Sequence, residues 1–172
     1  VEDNLVEAWA CLAALPEVAY EKSTDRIRYI SGVAYPLCNH VMMARFPREG
    51  LDGRIRPALE PFRARRLPML WWFGPASRPA DLGDALAAAG LTPGDEVPGM
   101  ALALAETGEG APRPPALTFR EVRDDEGLDL WTAIFRTVFE VPDFACDFFR
   151  RAMKACGLAP STPYQHYLGC WE

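Results

Sequence analysis

The sequence predicts an α/β fold: a mixed sheet flanked by helices, followed by a second unit of similar order that is begun but not completed. Three observations predict it. Segments with apolar residues at helical spacing alternate with short runs of strand length. Hydrophobic residues make up 49% and charged residues 24% of the 172, the balance of a globular chain. The order of elements then restarts after one proline- and glycine-rich stretch, residues 106–116.

The first segment, Asn4 to Leu15, carries Leu5, Trp9 and Leu12 on one helical face, and Pro16 stops it. Arg26 to Ile30 alternates charged and apolar residues, as a half-buried strand does. Asn39 to Phe46 is a more continuously apolar strand, and Ser31-Gly32 and Tyr35-Pro36 punctuate a loosely joined hairpin between the two. Asp52 to Arg66 sets Ile55, Leu59 and Phe62 at helical spacing. Pro57 and Pro61 each remove a backbone donor there, so a kinked or late-starting helix is expected. Pro68 to Phe73 reads as a buried strand in which Trp71 and Trp72 send one indole to each face. Asp81 to Ala89 is a short helix ended by Gly90, and Met100 to Leu104 is a further strand.

Residues 1–105 therefore form one half and 106–116 a linker. Beyond it, Leu117 to Val122 alternates as a strand and Asp125 to Phe139 is a helix. Pro142-Asp143 opens another helix that Gly157 closes, and Tyr164 to Trp171 is a strand. Residues 117–172 thus open a second unit, and a final strand with no following partner predicts further elements in a longer protein.

Composition narrows the function. A net charge of −6 is repelled by phosphate backbones, so nucleic acid is not an expected partner. The acidic start, Val1 to Asn4, does not read as a secretory leader, so none is expected, and no stretch approaches the roughly 18 apolar residues of a membrane span. A cytoplasmic protein with no membrane partner is expected. Cys11, Cys38, Cys146, Cys156 and Cys170 are odd in number and contain no C-x-x-C, which predicts reduced thiols. His40 and His166 lack companions at zinc-ligand spacing, so no metal is expected. A nucleophile pair of His166 with Cys156 or Cys170 could arise only through folding. Seven arginines between Arg45 and Arg66 face only Glu49, Asp52 and Glu60. They read as a salt-bridged surface, or as a patch for an anionic ligand or an acidic partner. Asp124, Asp125, Glu126 and Asp129 suit the dipole at a helix start.

Four motifs in order carry a resemblance: Tyr29 to Val41 (YISGVAYPLCNHV), Arg66 to Trp72 (RLPMLWW) with Gly74-Pro75, Arg78 to Leu82 (RPADL), and Pro98 to Ala101 (PGMA). Together they resemble the N-terminal half of some bacterial GNAT-type N-acetyltransferases. The resemblance implies an acyl-CoA N-acyltransferase-like fold, in which a degenerate half precedes a half that carries the cofactor site. That second half opens with a strand, two helices and a strand, the order of Leu117 to Trp171.

The implied reaction of the complete protein moves an acetyl group from acetyl-CoA to a small-molecule amine or a peptide amine. The family grips the coenzyme pyrophosphate with a Q/R-x-x-G-x-G/A turn between strand and helix, whose backbone N–H groups point at the phosphates. No copy of that spacing occurs here, and Gly108-Glu109-Gly110 lies in the proline-rich linker. The resemblance therefore implies no cofactor-binding residue in this chain, no assignable catalytic residue, and no activity from the chain alone. It gives acceptor-side roles to Asn39, through its place in the first motif, and to Phe139, Val141 and Phe144, through the helix-to-helix connection that lines the acceptor cleft. Trp72 is a candidate floor for a cleft by virtue of its strand position. A second class of function is a non-catalytic binding or dimerisation module, since an exposed terminal strand edge suits pairing, including as a homodimer.

Overall fold

The computed structural model describes residues 2–101, 103, 114–162 and 164–171. The chain is a mixed α/β protein in two compact units, Leu12–Asp95 with Glu2, and Asp3–Cys11 with Glu96–Glu172. Most of the first helix, α1 (Glu2–Leu12), is thereby counted with the C-terminal unit.

In the N-terminal unit four strands lie in sequence order: β1 (Ala19–Lys22), β2 (Ile27–Ile30), β3 (Asn39–Met42) and β4 (Leu70–Trp71). The first two pairings are antiparallel, and β3 pairs parallel with β4. A parallel neighbour requires a crossover, and α2 (Leu51–Ala64) supplies it. β1 was not expected: it is an edge strand with a single half-buried residue, so its sequence carries little apolar signal. β3 is shorter than the expected 39–46 because Met43 turns into the left-handed region at φ 55°. β4 keeps only two ladder residues of the expected 68–73, both half-buried, although the Trp72 N–H still donates to the Val41 carbonyl at 2.9 Å.

The late start expected for α2 is corrected: it begins at Leu51 and runs through both prolines. The two sit one turn apart, away from the buried Ile55, Ala58, Leu59 and Phe62. Pro61 has no N–H to offer the Pro57 carbonyl, and Arg28 Nη1 donates to that oxygen instead, at 3.4 Å. Phe62 packs with Ile30 and Val41, while Ile55 and Leu59 pack with Ala44, Phe46, Leu82 and Leu86. Burial of a side chain such as Phe62 stabilises by about 1.5–3 kcal/mol. Leu82 and Leu86 lie on α3 (Leu82–Ala88), and Gly90, at φ 92°, turns the chain away from it.

The C-terminal unit holds β5 (Leu117–Glu121), α4 (Asp125–Phe139), α5 (Asp143–Cys156) and β6 (Tyr167–Trp171), with β5 and β6 antiparallel. The acidic cluster is structural. Asp124 caps α4 by accepting from Gly127 N at 2.7 Å. Asp125 pairs with Lys154 at 2.6 Å, and Asp129 pairs with Arg150, tying α4 to α5. Leu128, Ala145, Phe148, Phe149, Ala152 and Met153 fill the interior, and the Trp9 ring of α1 lies 6.3 Å from that of Phe149. Of the expected linker, residues 106–113 lie outside the described residues. In the strand expected over 100–104, Met100, Ala101 and Ala103 carry no strand, and the other two positions lie outside the described residues. The last strand starts at Tyr167 rather than Tyr164.

The cysteine expectation is also corrected. Cys11 and Cys156 form a disulfide, with Cα atoms 5.4 Å apart, whereas Cys38, Cys146 and Cys170 are thiols. Spacing could not reveal a pair 145 residues apart. Among the described residues no helix is long and apolar enough to cross a membrane.

Candidate functional site

In the N-terminal unit the polar interior gathers where β2 and β3 meet. Asn39 opens β3 directly after a 3-10 turn, Pro36–Cys38, and is fully buried. Its Nδ2 donates to the carbonyls of Val33 (2.6 Å), Tyr35 (3.1 Å) and Pro68 (3.1 Å), and its Oδ1 accepts from Ser31 N at 3.2 Å. One amide thus fixes the 31–35 turn to the chain entering β4. Its strongest bonds go to backbone, with the Ser31 hydroxyl at the edge of reach of Oδ1 at 3.5 Å, which is a structural role.

Beside it, His40 stacks on Tyr29 with ring centroids 4.9 Å apart and planes 4° from parallel. The two are cross-strand partners on β2 and β3, and sequence alone does not fix that register. His40 Nδ1 lies 3.3 Å from the Leu37 carbonyl, and Tyr29 Oη donates to the Leu12 carbonyl at 3.0 Å. Burial lowers the His40 pKa to about 4, against a small opposing effect of the Leu37 carbonyl. The ring is therefore neutral at pH 7, with its Nδ1 hydrogen donated to Leu37.

An acid sensitivity follows. His40 binds its proton more weakly folded than unfolded, so its contribution is complete above its ordinary pKa of 6.5 and is lost as pH falls towards 4. Between pH 7 and pH 5 the expected loss of unfolding free energy is about 2 kcal/mol. His166, whose pKa burial also lowers, adds in the same direction. Urea unfolding at the two pH values measures this, and H40Q should remove most of the slope. An unchanged slope in H40Q would contradict the assignment.

Trp72 and Trp71 are both half-buried. Trp71 packs on the cores around Phe62 and Phe46, its ring 6.2 Å from that of Phe46. Both indole Nε1 atoms are buried without an acceptor among the described residues. This leaves Trp72 the one sequence-predicted site residue of this unit with an unused polar atom.

In the C-terminal unit Phe139, Val141 and Phe144 come together at the elbow between α4 and α5. Glu140 makes the turn in the left-handed region at φ 51°, and Arg136 pairs with Asp143 across it at 2.8 Å. Val141 is buried, whereas Phe139 and Phe144 are 64% and 53% exposed. Phe139 extends an aromatic run through Phe135, 5.2 Å away, to Phe149. The elbow therefore offers two accessible phenyl rings over an anchored valine, a surface suited to apolar groups. Asn39 and Trp72 belong to the other unit.

Sequence reading missed the surroundings of His166. It is buried between Trp131 and Tyr164, at centroid distances of 4.8 and 4.9 Å, and neither ring nitrogen has a partner among the described residues. Cys156 is in the disulfide and is no nucleophile for it.

The residues present do not fit a coenzyme phosphate grip. The strand-to-helix turn from β3 to α2 has Gly50 in the left-handed conformation at φ 70°. Its sequence there, Arg48-Glu49-Gly50, lacks the required glycine spacing. Asp52 already occupies the first turn of α2, where a phosphate would have to sit. Among the described residues no group of three or more His, Cys, Asp or Glu is arranged to hold a metal ion. No family model, curated protein or solved structure matches the chain.

Proposed function

We propose that the chain is the scaffold and acceptor-side part of a GNAT-type N-acetyltransferase that transfers an acetyl group from acetyl-CoA to a small-molecule or peptide amine in the cytoplasm. The observation that carries the reading is the order β5–α4–α5–β6 with β5 and β6 antiparallel, the opening order that the sequence resemblance implies for a catalytic half. The mixed sheet of the N-terminal unit suits the degenerate half that precedes it. Phe139, Val141 and Phe144 would line the apolar side of the acceptor pocket. The phosphate grip would come from residues outside this chain, since its own turns lack the spacing. Calorimetric titration of acetyl-CoA into the chain tests this placement. The expected result is no saturable binding below about 100 μM, and micromolar binding by the chain alone would overturn it.

A second reading, a non-catalytic pairing module, has its own observation. Phe119, Tyr167 and Trp171 share the outer face of the β5–β6 pair and are 60%, 54% and 71% exposed. β6 carries no charged residue to blunt its edge. Light scattering after size exclusion separates the readings: a concentration-dependent dimer favours the module, and a strict monomer removes it.

A further inference from the structure

α4 carries more apolar surface than its own unit covers. At about 100° per residue, Leu130, Ile134, Val138, Trp131, Phe135 and Leu128 spread over about 160° of the helix circumference. A stripe of about 100° suffices to face one core. One side of the arc is used. Leu128 is fully buried, the Phe135 ring meets that of Phe149 on α5, and the Trp131 ring meets that of His166 just ahead of β6. The other side stands clear: Leu130, Ile134 and Val138 are 47%, 47% and 65% exposed. They recur at i, i+4 and i+8 and so form one ridge.

Three features fit this ridge to a second copy of the chain. First, it is symmetric about Ile134. An antiparallel copy sets Ile134 on its own counterpart and Leu130 on the position equivalent to Val138, the match that a two-fold axis demands. Second, the positions beside the ridge are small and offer no open polar group. Ala133 is a methyl, and the Thr137 hydroxyl already donates to the Ala133 carbonyl at 2.9 Å. The i±4 ridge of one helix can therefore settle into the groove of the other. Third, charge selects the direction. Asp125 and Glu126 lie in the first turn of α4 and Arg136 in its last. A parallel copy would bring the acidic turns together, whereas an antiparallel copy separates them and aligns the two helix dipoles favourably.

We propose that α4 is the two-fold contact of a weak homodimer, packed antiparallel on its counterpart along Leu130, Ile134 and Val138. This ridge is a different surface from the outer face of β5–β6 on which the pairing-module reading rests. The dimer stands whether or not the chain takes part in acetyl transfer.

Sedimentation equilibrium of the full chain from about 5 to 500 μM tests it. The expected result is a reversible dimer with a Kd of about 100 μM, weak because three part-exposed aliphatic side chains per copy make a small interface. I134E and V138E, both at exposed positions, should each weaken it at least tenfold while leaving the circular dichroism and thermal midpoint close to those of the native chain. W171E, on the β5–β6 face, should leave the dimer unchanged. The direction has its own check. L130E and V138K should each associate poorly alone, and an equimolar mixture should associate more tightly than either, because antiparallel packing sets position 130 against position 138. A monomer throughout the range overturns the proposal, as does a dimer that survives both I134E and V138E or a mixture no tighter than its components. A dimer lost in W171E but kept in I134E overturns it too, while supporting the pairing-module reading.

Discussion

Replacing Cys11 and Cys156 by serine, or reducing the bond between them, should lower the unfolding free energy by about 3–5 kcal/mol. The bond joins α1 to the end of α5 across 145 residues, so the loop it closes contains the four-stranded sheet and residues 12–95 of the N-terminal unit. Cross-linking so long a loop removes many conformations from the unfolded chain, and that restriction is the main origin of the expected stabilisation. The same bond secures a helix that is short for independent stability and whose buried face is essentially Val6, Trp9 and Leu12. Urea unfolding of the native, reduced and doubly substituted proteins measures the effect. Thiol titration in denaturant supplies the control. The three free cysteines, Cys38, Cys146 and Cys170, should react before reduction, joined by Cys11 and Cys156 afterwards. Reaction of all five without reductant would contradict the pairing.

N39A should cost about 1–3 kcal/mol. Removal of this amide leaves the Pro68 carbonyl without a hydrogen-bond partner among the described residues, while the Val33 and Tyr35 carbonyls and the Ser31 N–H each keep one backbone partner (Tyr35 N, Cys38 N and the Cys38 carbonyl). A group left without a partner costs about 1–3 kcal/mol when it stays dry, and water entering the space recovers part of the loss. N39D should be worse, because it sets a carboxylate against three carbonyl oxygens in a fully buried position. Denaturant midpoints of both variants measure the costs. A loss below about 1 kcal/mol for N39A would mean that the amide does not hold the turn.

Much of the fold was legible in the sequence where one physical signal dominated. α4 reads directly from its apolar spacing and its acidic start, because capping and burial agree there. α5 is bracketed as clearly by Pro142 and Gly157. The signal failed where tertiary structure overrode local preference. Pro57 and Pro61 argue against a helix, yet both sit away from its buried face, and Arg28 satisfies the carbonyl that Pro61 leaves open. β1 gave no apolar pattern because an edge strand buries little. The Cys11–Cys156 bond and the Tyr29–His40 stack depend on which distant segments meet, and spacing does not encode that.

The candidate site was legible only in outline. Phe139, Val141 and Phe144 were expected to act together, and they share one elbow. Asn39 was expected on the acceptor side through its place in the first motif, and in the structure its shortest bonds run to backbone. The arginine stretch offered a salt-bridged surface and an anion patch as alternatives. In the structure Arg48 and Arg54 are salt-bridged, and Arg56 lines a groove. No sequence spacing could have brought Arg26, just before β2, and Arg28, on it, to α2.

The central claim is that these two units precede a coenzyme-gripping segment of the same polypeptide. The reading frame downstream of Glu172 tests it most directly. Within a few dozen codons the account predicts an apolar strand, a Q/R-x-x-G-x-G/A turn and a helix, in that order. A frame that closes without that turn would contradict it.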